Sequence, residues 1–510
     1  MKRRIIAALL AGLMLLGLLS GCSKPEPEPT DAPETETPAE PLPEEEIELF
    51  PEVEMALPNL LTVGDVQVVA DGELKQESGE GWQYDGASNT LTLEGAAITG
   101  HKENANGICG LYCDGDLNIL LVGENSVDNA AASTEGSASG VFATGQLYIS
   151  GEGSLTVRSG DAAGDSVGIY ALTNLIVAES TVRAEGGSGM RSFGMACRDG
   201  ISIDPNAAVE AVGGSAKALS AGLYSGQGSI WISDATVSAT GGDVTWDPAL
   251  TQEERYVESG GIWAQGSVAV FNSAVTAIGG TVDAADTLIA FSNGIFTCAG
   301  LDADYETQLT AQGGSARGTE AYSQGAYGRE GAVQVYIATA AFTGGEATGV
   351  TMAGSYGVQT YWAGFYTYDS GANVTLTAGS ATATAAEGIA QANGFRAYAG
   401  DAGIDLGTVV ITGGTWSGAS GDGCGMFLEA DVEENSATGG YVTLGSEAFV
   451  TVTSQTCHGI RSHMDISAQI LDPEGGSVEY VSGEGMFPEY CFVADAEGNP
   501  AKTVVAGTAQ

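Results

Sequence analysis

Aromatic side chains recur at one fixed position of a short phrase, Ser-x-Gly followed by an aliphatic and often an aromatic residue, that returns every 26 to 39 residues. The aromatic residue stands two positions after the glycine, at Tyr112, Phe142, Tyr170, Tyr224, Trp263, Phe296 and Tyr327. Flat rings in a file present apolar faces for the C–H faces of sugars, and neighbouring hydroxyl groups supply hydrogen bonds. The spacing predicts an aromatic ladder that binds a polysaccharide. The alternative is that the rings only stack on one another to stabilise the fold.

A second aromatic group lies between Tyr356 and Tyr368, and its candidate ligand-binding residues are Tyr361, Trp362, Tyr366 and Tyr368. On an extended strand Trp362, Tyr366 and Tyr368 would share one face, and Tyr361 would share the other with Phe365. One set could then be buried while the other meets a ligand. A purely structural role in a bulge or loop is the competing interpretation.

Acidic residues are abundant and basic residues are scarce. Acidic clusters at 114–116, 302–304 and 429–434 make calcium the one cofactor that could be held, although isolated clusters of this kind are usually solvated loops. The basic residues Arg191, Arg198 and Lys217 form a modest cluster, and His101, His458 and His463 show no metal-ligand spacing. We assign no catalytic or metal-binding residue and expect binding rather than catalysis. A polysaccharide lyase or another glycan-active enzyme stays open, as does paired-carboxylate hydrolysis.

The secondary structure around these aromatic residues follows from the repeat. The anchoring glycines are Gly110, Gly140, Gly168, Gly194, Gly222, Gly261, Gly294, Gly325, Gly357, Gly394, Gly425 and Gly459. Between them lie three short segments of alternating character, punctuated by Gly, Ser, Asn or Asp, which is typical of strands and turns. This pattern predicts an all-β fold, a right-handed parallel β-helix of about 11 to 13 coils with capped ends. A β-propeller, whose blades need four strands, is the second choice.

Strand parity predicts which side chains face the interior. The aliphatic residue directly after each anchor should point inward, together with the small residue two positions later. Serines two positions before the anchor and aromatics two positions after it should then point outward. Glycine pairs beginning at 186, 213, 241, 279, 313 and 344 should form a column of tight corners where a side chain clashes or φ is positive.

The N-terminal residues predict export and anchorage. Lys2, Arg3 and Arg4 precede an apolar run that is short for a membrane span, and Leu19-Ser20-Gly21-Cys22 resembles the lipobox of bacterial lipoproteins. Residues 1–21 are therefore expected to be a signal peptide and Cys22 the site of lipidation. Residues 22–58, rich in Pro and Glu, should form a disordered stalk. Residues 59–106 are interpreted as an entry coil, 107–464 as the repeats and 465–510 as a C-terminal cap.

Charge and cysteine content restrict the partners. The chain has 65 Asp and Glu against 17 Lys and Arg, a formal net charge of −48, which excludes nucleic acid as an expected partner. Membrane contact is expected only through the N-terminal lipid, and the head should be a monomer. Seven cysteines follow Cys22, without zinc spacing, and are expected to be small buried residues; a disulfide between neighbouring coils is the alternative.

Three features together resemble a known group of proteins. They are the entry motif Gly81-Trp82-x-Tyr84-Asp85 with Asn89 to Leu93, the repeated glycine-aliphatic-aromatic steps and the lipobox. The chain is similar to β-helical carbohydrate-binding-domain surface lipoproteins of Gram-positive gut anaerobes, which share the solenoid architecture of pectate lyases. The resemblance implies a non-catalytic head that binds plant or host glycans, sometimes with calcium, on the extracellular face of the membrane. A protein-binding adhesin or a passive spacer is a further alternative.

Overall fold

The chain folds as an all-β parallel β-helix of about twelve coils. The computed structural model describes residues 57–104, 106–247, 256–285, 288–433, 436–456, 458–468, 477–481 and 488–507, and within these ranges there is no helix. The predicted signal peptide, Cys22 and most of the stalk lie outside the described residues, as does Cys457. No apolar helix of membrane-spanning length occurs in the described part of the chain.

Three strands of each coil stack into three parallel sheets. Sheet 1 carries the anchoring glycines. It comprises Gly107–Cys113, Ala138–Ala143, Asp165–Ala171, Gly189–Cys197, Ala216–Ser225, Tyr256–Ala264, Ile289–Thr297, Ala316–Gly328, Glu346–Tyr361, Ile389–Tyr398, Ser420–Asp422, Met426–Glu429 and Ile460–Ser462. Sheet 2 comprises Thr90–Glu94, Leu117–Val122, Leu147–Ser150, Asn174–Val177, Gly200–Ile203, Ser229–Ser233, Val268–Phe271, Leu301–Asp304, Val333–Val335, Phe365–Thr367 and Asp465–Ala468. Sheet 3 comprises Ala97–Ile98, Glu124–Asp128, Ser154–Arg158, Thr181–Glu185, Ala208–Val212, Thr236–Thr240, Ala274–Ile278, Thr307–Gln312, Ala338–Thr343 and Asn373–Thr377. The long strands Ala402–Thr412 and Tyr441–Thr453 each pass through both sheets 2 and 3.

Equivalent residues of successive coils lie side by side, so each file of inward side chains is continuous. Leu223 pairs with Met195 on one side and with Ile262 on the other, and all three are fully buried in the tube. This confirms that the residue after each anchor faces inward. Burial of these aliphatic files supplies the main stabilisation, because a short strand cannot bury its apolar face alone.

The anchoring glycine marks a break in strand parity. The register of neighbouring coils passes from Ala221 directly to Leu223. A Cβ on Gly222 would lie 2.5 Å from the Thr240 nitrogen and 2.8 Å from the Gly261 oxygen, so no side chain fits where the chain presses against the end of sheet 3. Residues before the glycine therefore change face.

The parts of the sheet 1 strands that precede the anchoring glycines enclose a second apolar cluster beside the tube. It contains Ala216, Val244, Val257, Val282 and Ala290, all buried. The short strands Val244–Thr245, Val282–Asp283, Ser380–Ala383 and Thr415–Ser417 pair along this side lobe. Each coil with these strands thus carries a lobe in addition to the three-sheet tube.

The prediction that the serine column faces outward is wrong, because parity does not run through the glycine. Its seven members, Ser166, Ser192, Ser220, Ser259, Ser292, Ser323 and Ser355, are fully buried. The Ser220 hydroxyl donates to the Gly214 carbonyl at 2.9 Å and accepts from the Gly242 N–H at 2.8 Å. The others make the same two bonds, one to the corner glycine of their own side and one from the corner glycine of the next coil. We call this column the serine ladder.

The glycine pairs form the predicted column of tight corners, for steric reasons. A Cβ on Gly242 would lie 2.1 Å from the Gly214 oxygen, and one on Gly241 would lie 2.4 Å from Ser259 Oγ. Neither residue has a positive φ. Close stacking, rather than left-handed backbone, therefore excludes side chains at these corners.

Antiparallel strands occupy both ends of the described tube. At the N-terminal end, Leu60–Val63 pairs with Val66–Ala70 and with Gly107–Cys113, while Trp82–Asp85 pairs with Thr90–Glu94. The remaining strands here are Glu73–Leu74, Ser78–Gly79 and Lys102–Asn104. At the other end Thr503–Gly507 pairs with Tyr441–Thr453, and Tyr490–Ala494 pairs with Ser477–Val481 and Ile460–Ser462. Reversed strands at the ends protect edges that would otherwise recruit another chain. Two small pairs, Ser133–Thr134 with Asp161–Ala162 and Asp431–Glu433 with Ser436–Thr438, lie outside the main sheets.

The described cysteines are buried. No disulfide joins any two of the six described cysteines, Cys109, Cys113, Cys197, Cys298, Cys424 and Cys491. Burial raises the pKa of Cys109, Cys197 and Cys491 to about 11. They act as small apolar residues, as expected, and the alternative of a disulfide does not occur among these six.

Candidate functional site

The predicted aromatic ladder lies outside the tube, on the outer face of sheet 1. Its rings form two stacked runs along the axis. In the first, Tyr112, Phe142 and Tyr170 have centroid separations of 5.7 and 5.0 Å. In the second, Tyr224, Trp263 and Phe296 are separated by 4.8 and 5.0 Å, and Tyr327 adds an edge contact at 5.5 Å. The rings stack on one another, as the structural alternative required, and most keep part of their surface accessible.

Stacking restricts what a ligand can reach. Interplanar angles of 18° to 29° mean that ring faces within a run cover one another and leave mainly their edges to solvent. Tyr112 and Phe296 are only 6% and 7% exposed. A sugar that stacks on a ring needs a free ring face. We expect such a face where the run of stacked rings is interrupted.

The interruption lies at Ala196, the residue that replaces an aromatic between Tyr170 and Tyr224 in the register. Phe193 from the same coil turns into this gap and stacks on Tyr224 at 4.4 Å. Here the outer face opens into a groove of about 1030 Å³ whose lining includes Phe142, Tyr170, Phe193 and Tyr224. We call it the sheet-1 groove. Sequence reasoning missed Phe193, which precedes the anchor, because it assumed unbroken parity.

Polar groups surround the aromatic floor of the sheet-1 groove. The lining includes Asn104, Asn106, Ser137, Glu103 and Glu135, which offer both donors and acceptors. Asn106 Nδ2 also donates to the Tyr112 hydroxyl at 3.2 Å. An aromatic floor with a few polar groups at its margin is the usual composition of a carbohydrate or small-molecule site.

The two arginines of the groove are paired with carboxylates. Arg191 binds Asp165 in a bidentate manner, Nε to Oδ1 at 2.8 Å and Nη2 to Oδ2 at 2.5 Å. Arg198 binds Asp199 in the same way at 2.7 and 3.0 Å. Lys217, the third member of the predicted basic cluster, lies 4.0 Å from Asp247 and does not line the groove. The groove therefore presents little net positive charge to a ligand.

Side chains before and after the bend meet on the outer face of sheet 1. Glu258, only 5% exposed, accepts from Trp263 Nε1 at 3.1 Å and from Asn293 Nδ2 at 2.7 Å. Burial raises the pKa of this carboxyl group to about 7, against the two hydrogen bonds that lower it. The carboxylate thus orients the ladder tryptophan.

The ladder position turns polar in later coils, at Gln359 and Arg396. Arg396 donates to Glu429 at 2.5 Å and lies 5.7 Å from the ring centre of buried Tyr356. The Tyr356 hydroxyl donates to Gln391 at 3.0 Å. These residues close the outer face with a buried polar network that the repeat pattern did not indicate.

The predicted aromatic patch is divided by a turn. Tyr361 ends a sheet 1 strand, Trp362 follows with φ of 66°, and Phe365 is fully buried at the start of the next strand. The prediction that Trp362 shares a face with Tyr366 and Tyr368 is therefore wrong. Tyr361 and Trp362 contact Tyr398 at 4.7 and 5.8 Å, whereas Tyr366 and Tyr368 lie together on sheet 2, 5.9 Å apart.

The acidic residues do not converge. Among the described residues no group of three or more His, Cys, Asp or Glu could hold a metal ion. Asp114 and Asp116 instead accept hydrogen bonds from the next coil, from the Thr144 hydroxyl at 2.9 Å and from the Gln146 N–H at 2.7 Å. Calcium binding stays a prediction from sequence.

Comparisons with known proteins add no relative. No protein family model, curated protein or solved structure matches this chain.

Proposed function

We propose that this protein is a lipid-anchored surface protein whose β-helical head binds polysaccharide without catalysis. The observation that supports it best is the sheet-1 groove, where the aromatic ladder is interrupted and leaves room for a sugar beside the half-buried ring of Tyr170. Rings supply the apolar platform and the surrounding amides and hydroxyls supply hydrogen bonds. Plant or host glycans are the proposed ligands.

The cellular setting is part of the same proposal. The lipobox-like segment ending at Cys22 and the acidic, proline-rich stalk support anchorage on the extracellular face of a Gram-positive membrane. The entry motif forms a hairpin in which Trp82 and Tyr84 are buried and the Tyr84 hydroxyl donates to Asn89 at 2.7 Å. Membership of the carbohydrate-binding-domain lipoproteins of gut anaerobes is proposed on this motif, the repeat and the lipobox together.

Pairing of the groove arginines weighs against a polysaccharide lyase. Such an enzyme needs a base to remove a proton and positive charge to hold the adjacent carboxylate. Arg191 and Arg198 are each held by an aspartate instead. Binding is therefore preferred over cleavage.

A glycan array tests the proposal with the full chain in non-ionic detergent. We expect binding to at least one plant or host glycan, and Tyr170→Ala should weaken it about tenfold, the usual effect of removing a central aromatic contact. Tyr441→Ala is the matched control, because Tyr441 is 42% exposed and lies outside the groove. Unchanged affinity in the Tyr170 variant would contradict the groove assignment, and release of an unsaturated uronic product would identify a lyase instead.

A further inference from the structure

A second set of aromatic rings lies on the outer face of sheet 2, where it belongs to neither the ladder nor the sheet-1 groove. Trp231 is 47% exposed and Tyr305 is 61% exposed. Phe271 lies between them, 4.7 Å from Trp231 and 5.9 Å from Tyr305. The three rings are tilted by 41° and 57°, so they do not cover one another as the sheet 1 rings do.

Register extends this surface along the axis. Trp231, Ala269, Asp302, Gln334 and Tyr366 pair in that order in five successive coils. At about 4.8 Å per coil, the row spans roughly 19 Å. A large ring stands at each end, a small side chain follows Trp231, and a carboxylate and an amide lie between. We call this row with Phe271, Asp304, Tyr305, Tyr336 and Tyr368 the sheet-2 face.

The far end of the sheet-2 face is also aromatic. Tyr336 lies 5.4 Å from Tyr368, and Tyr368 lies 5.9 Å from Tyr366. The Tyr336 hydroxyl donates to Gln334 Oε1 at 3.1 Å, which fixes the amide between the two ring clusters. Tyr368 is 40% exposed. Rings therefore flank a polar centre on both sides.

We infer that the sheet-2 face is a second glycan-binding site, which holds a neutral polysaccharide chain running along the tube axis. The inference rests on the proposed function for the class of ligand, but on different residues. The ring faces receive the C–H faces of sugars. Asp302, Asp304 and Gln334, which lie between the two ring clusters, accept hydrogen bonds from the sugar hydroxyl groups. The spacing of coils is close to the length of one sugar residue in an extended chain.

Charge favours a neutral polysaccharide over the other ligands that the sheet-2 face could bind. A second copy of the chain would bring another formal charge of −48 against the face and would remove the Asp302 and Asp304 carboxylates from water. Anionic lipid surfaces and uronic polymers are disfavoured for the same reason. A neutral chain brings hydroxyl donors and no charge, so it satisfies the carboxylates without repulsion.

Affinity electrophoresis of the full chain, in native gels containing galactomannan, xylan, mixed-linkage β-glucan or polygalacturonate, tests the inference. We expect retardation by at least one neutral polymer and none by polygalacturonate. The double variant Trp231→Ala with Tyr305→Ala should bind that polymer about tenfold more weakly. Tyr256→Ala, which removes a 47% exposed ring that lies on a sheet 1 strand and contacts Phe291, should bind as the wild type does.

The outcomes distinguish the two sites. If Tyr170→Ala alone weakens binding and the double variant does not, the sheet-2 inference is overturned while the proposed function stands. If the double variant loses binding and Tyr170→Ala does not, the sheet-2 site stands and the groove assignment fails. Absence of binding to every polymer by the wild type overturns both. A double variant that instead abolishes concentration-dependent dimerisation would assign the face to a second copy and overturn the inference.

Discussion

Glu258 combines an enclosed carboxyl group with two neutral hydrogen-bond donors, Trp263 and Asn293. Since burial raises its pKa to about 7, the folded protein binds a proton there that the unfolded chain has already lost above its usual pKa near 4.5. The stability contributed by the protonated form is complete below that value and is lost as the pH rises through about 7. Tyr224, Tyr327 and Cys298 face this carboxyl group, and their pKa values are raised away from this window.

We therefore predict that the free energy of unfolding contains a Glu258 contribution that falls by roughly 3 kcal/mol between about pH 4.5 and pH 7. Thermal melts across this range should show a steeper loss of stability for the wild type than for Glu258→Gln, which cannot titrate. Comparing slopes removes the constant cost of placing an amide against the Asn293 donor. Parallel slopes would show that the carboxyl group titrates normally.

For single residues, the sequence pattern predicted which positions recur in each coil better than it predicted which way their side chains point. The inward aliphatic file, including Leu223 and Ile262, followed from simple alternation. The serine ladder did not, because its burial depends on a bend at the glycine that alternation cannot express. Phe193 was missed for the same reason, although a large ring directly before an anchor that lacks its usual aromatic was a usable signal.

The serine ladder is the element that ties one glycine corner to the next. Removal of the Ser259 hydroxyl leaves the Gly280 N–H and the Gly242 carbonyl without their bond, so Ser259→Ala should cost about 1 to 3 kcal/mol. Ser238→Ala, on the exposed face of sheet 3, should cost less than about 0.5 kcal/mol. Melting temperatures of the two variants measure the difference. Equal values would mean that water replaces the buried hydroxyl without loss.

Anchoring glycines should tolerate no side chain. The three nearest atoms to a Cβ on Gly222 are backbone atoms within 2.8 Å, which cannot move aside, so Gly222→Ala should destabilise by about 1 to 3 kcal/mol or more. Gly226 in the same coil has its nearest atom at 3.4 Å, on the Tyr224 ring. Gly226→Ala is the control, and chemical denaturation should separate the two variants clearly. A neutral Gly222→Ala would show that the bend can relax.

Strands and coil number were predictable because each short strand has its own period-two pattern and turn residues. The side lobe was not. Its apolar members are mostly alanines, such as Ala216 and Ala290, and its strands are as short as two residues. Such segments bury little area each and only gain stability by stacking, so no single repeat displays them. The turn at Trp362 was hidden similarly, within a run of aromatic residues that looked like one strand.

The molecule as a whole carries 65 acidic against 17 basic residues, and this excess should oppose folding by self-repulsion. Sodium chloride raised from about 0.02 to 0.5 M should increase the melting temperature, since screening shortens the range of repulsion. Potassium chloride should act equally. A much larger rise with millimolar calcium than with magnesium at equal ionic strength would support the calcium prediction, whereas equal responses would indicate screening alone.

Strands of the tube lie across its axis, so the hydrogen bonds between coils lie along it. A force pulling on the two ends would load these bonds head-on and release them one coil at a time, rather than shearing a whole sheet at once. Each released coil of about 30 residues could add roughly 100 Å of slack. Under tension such a β-helix would lengthen stepwise, one coil at a time, while the remaining coils stay folded.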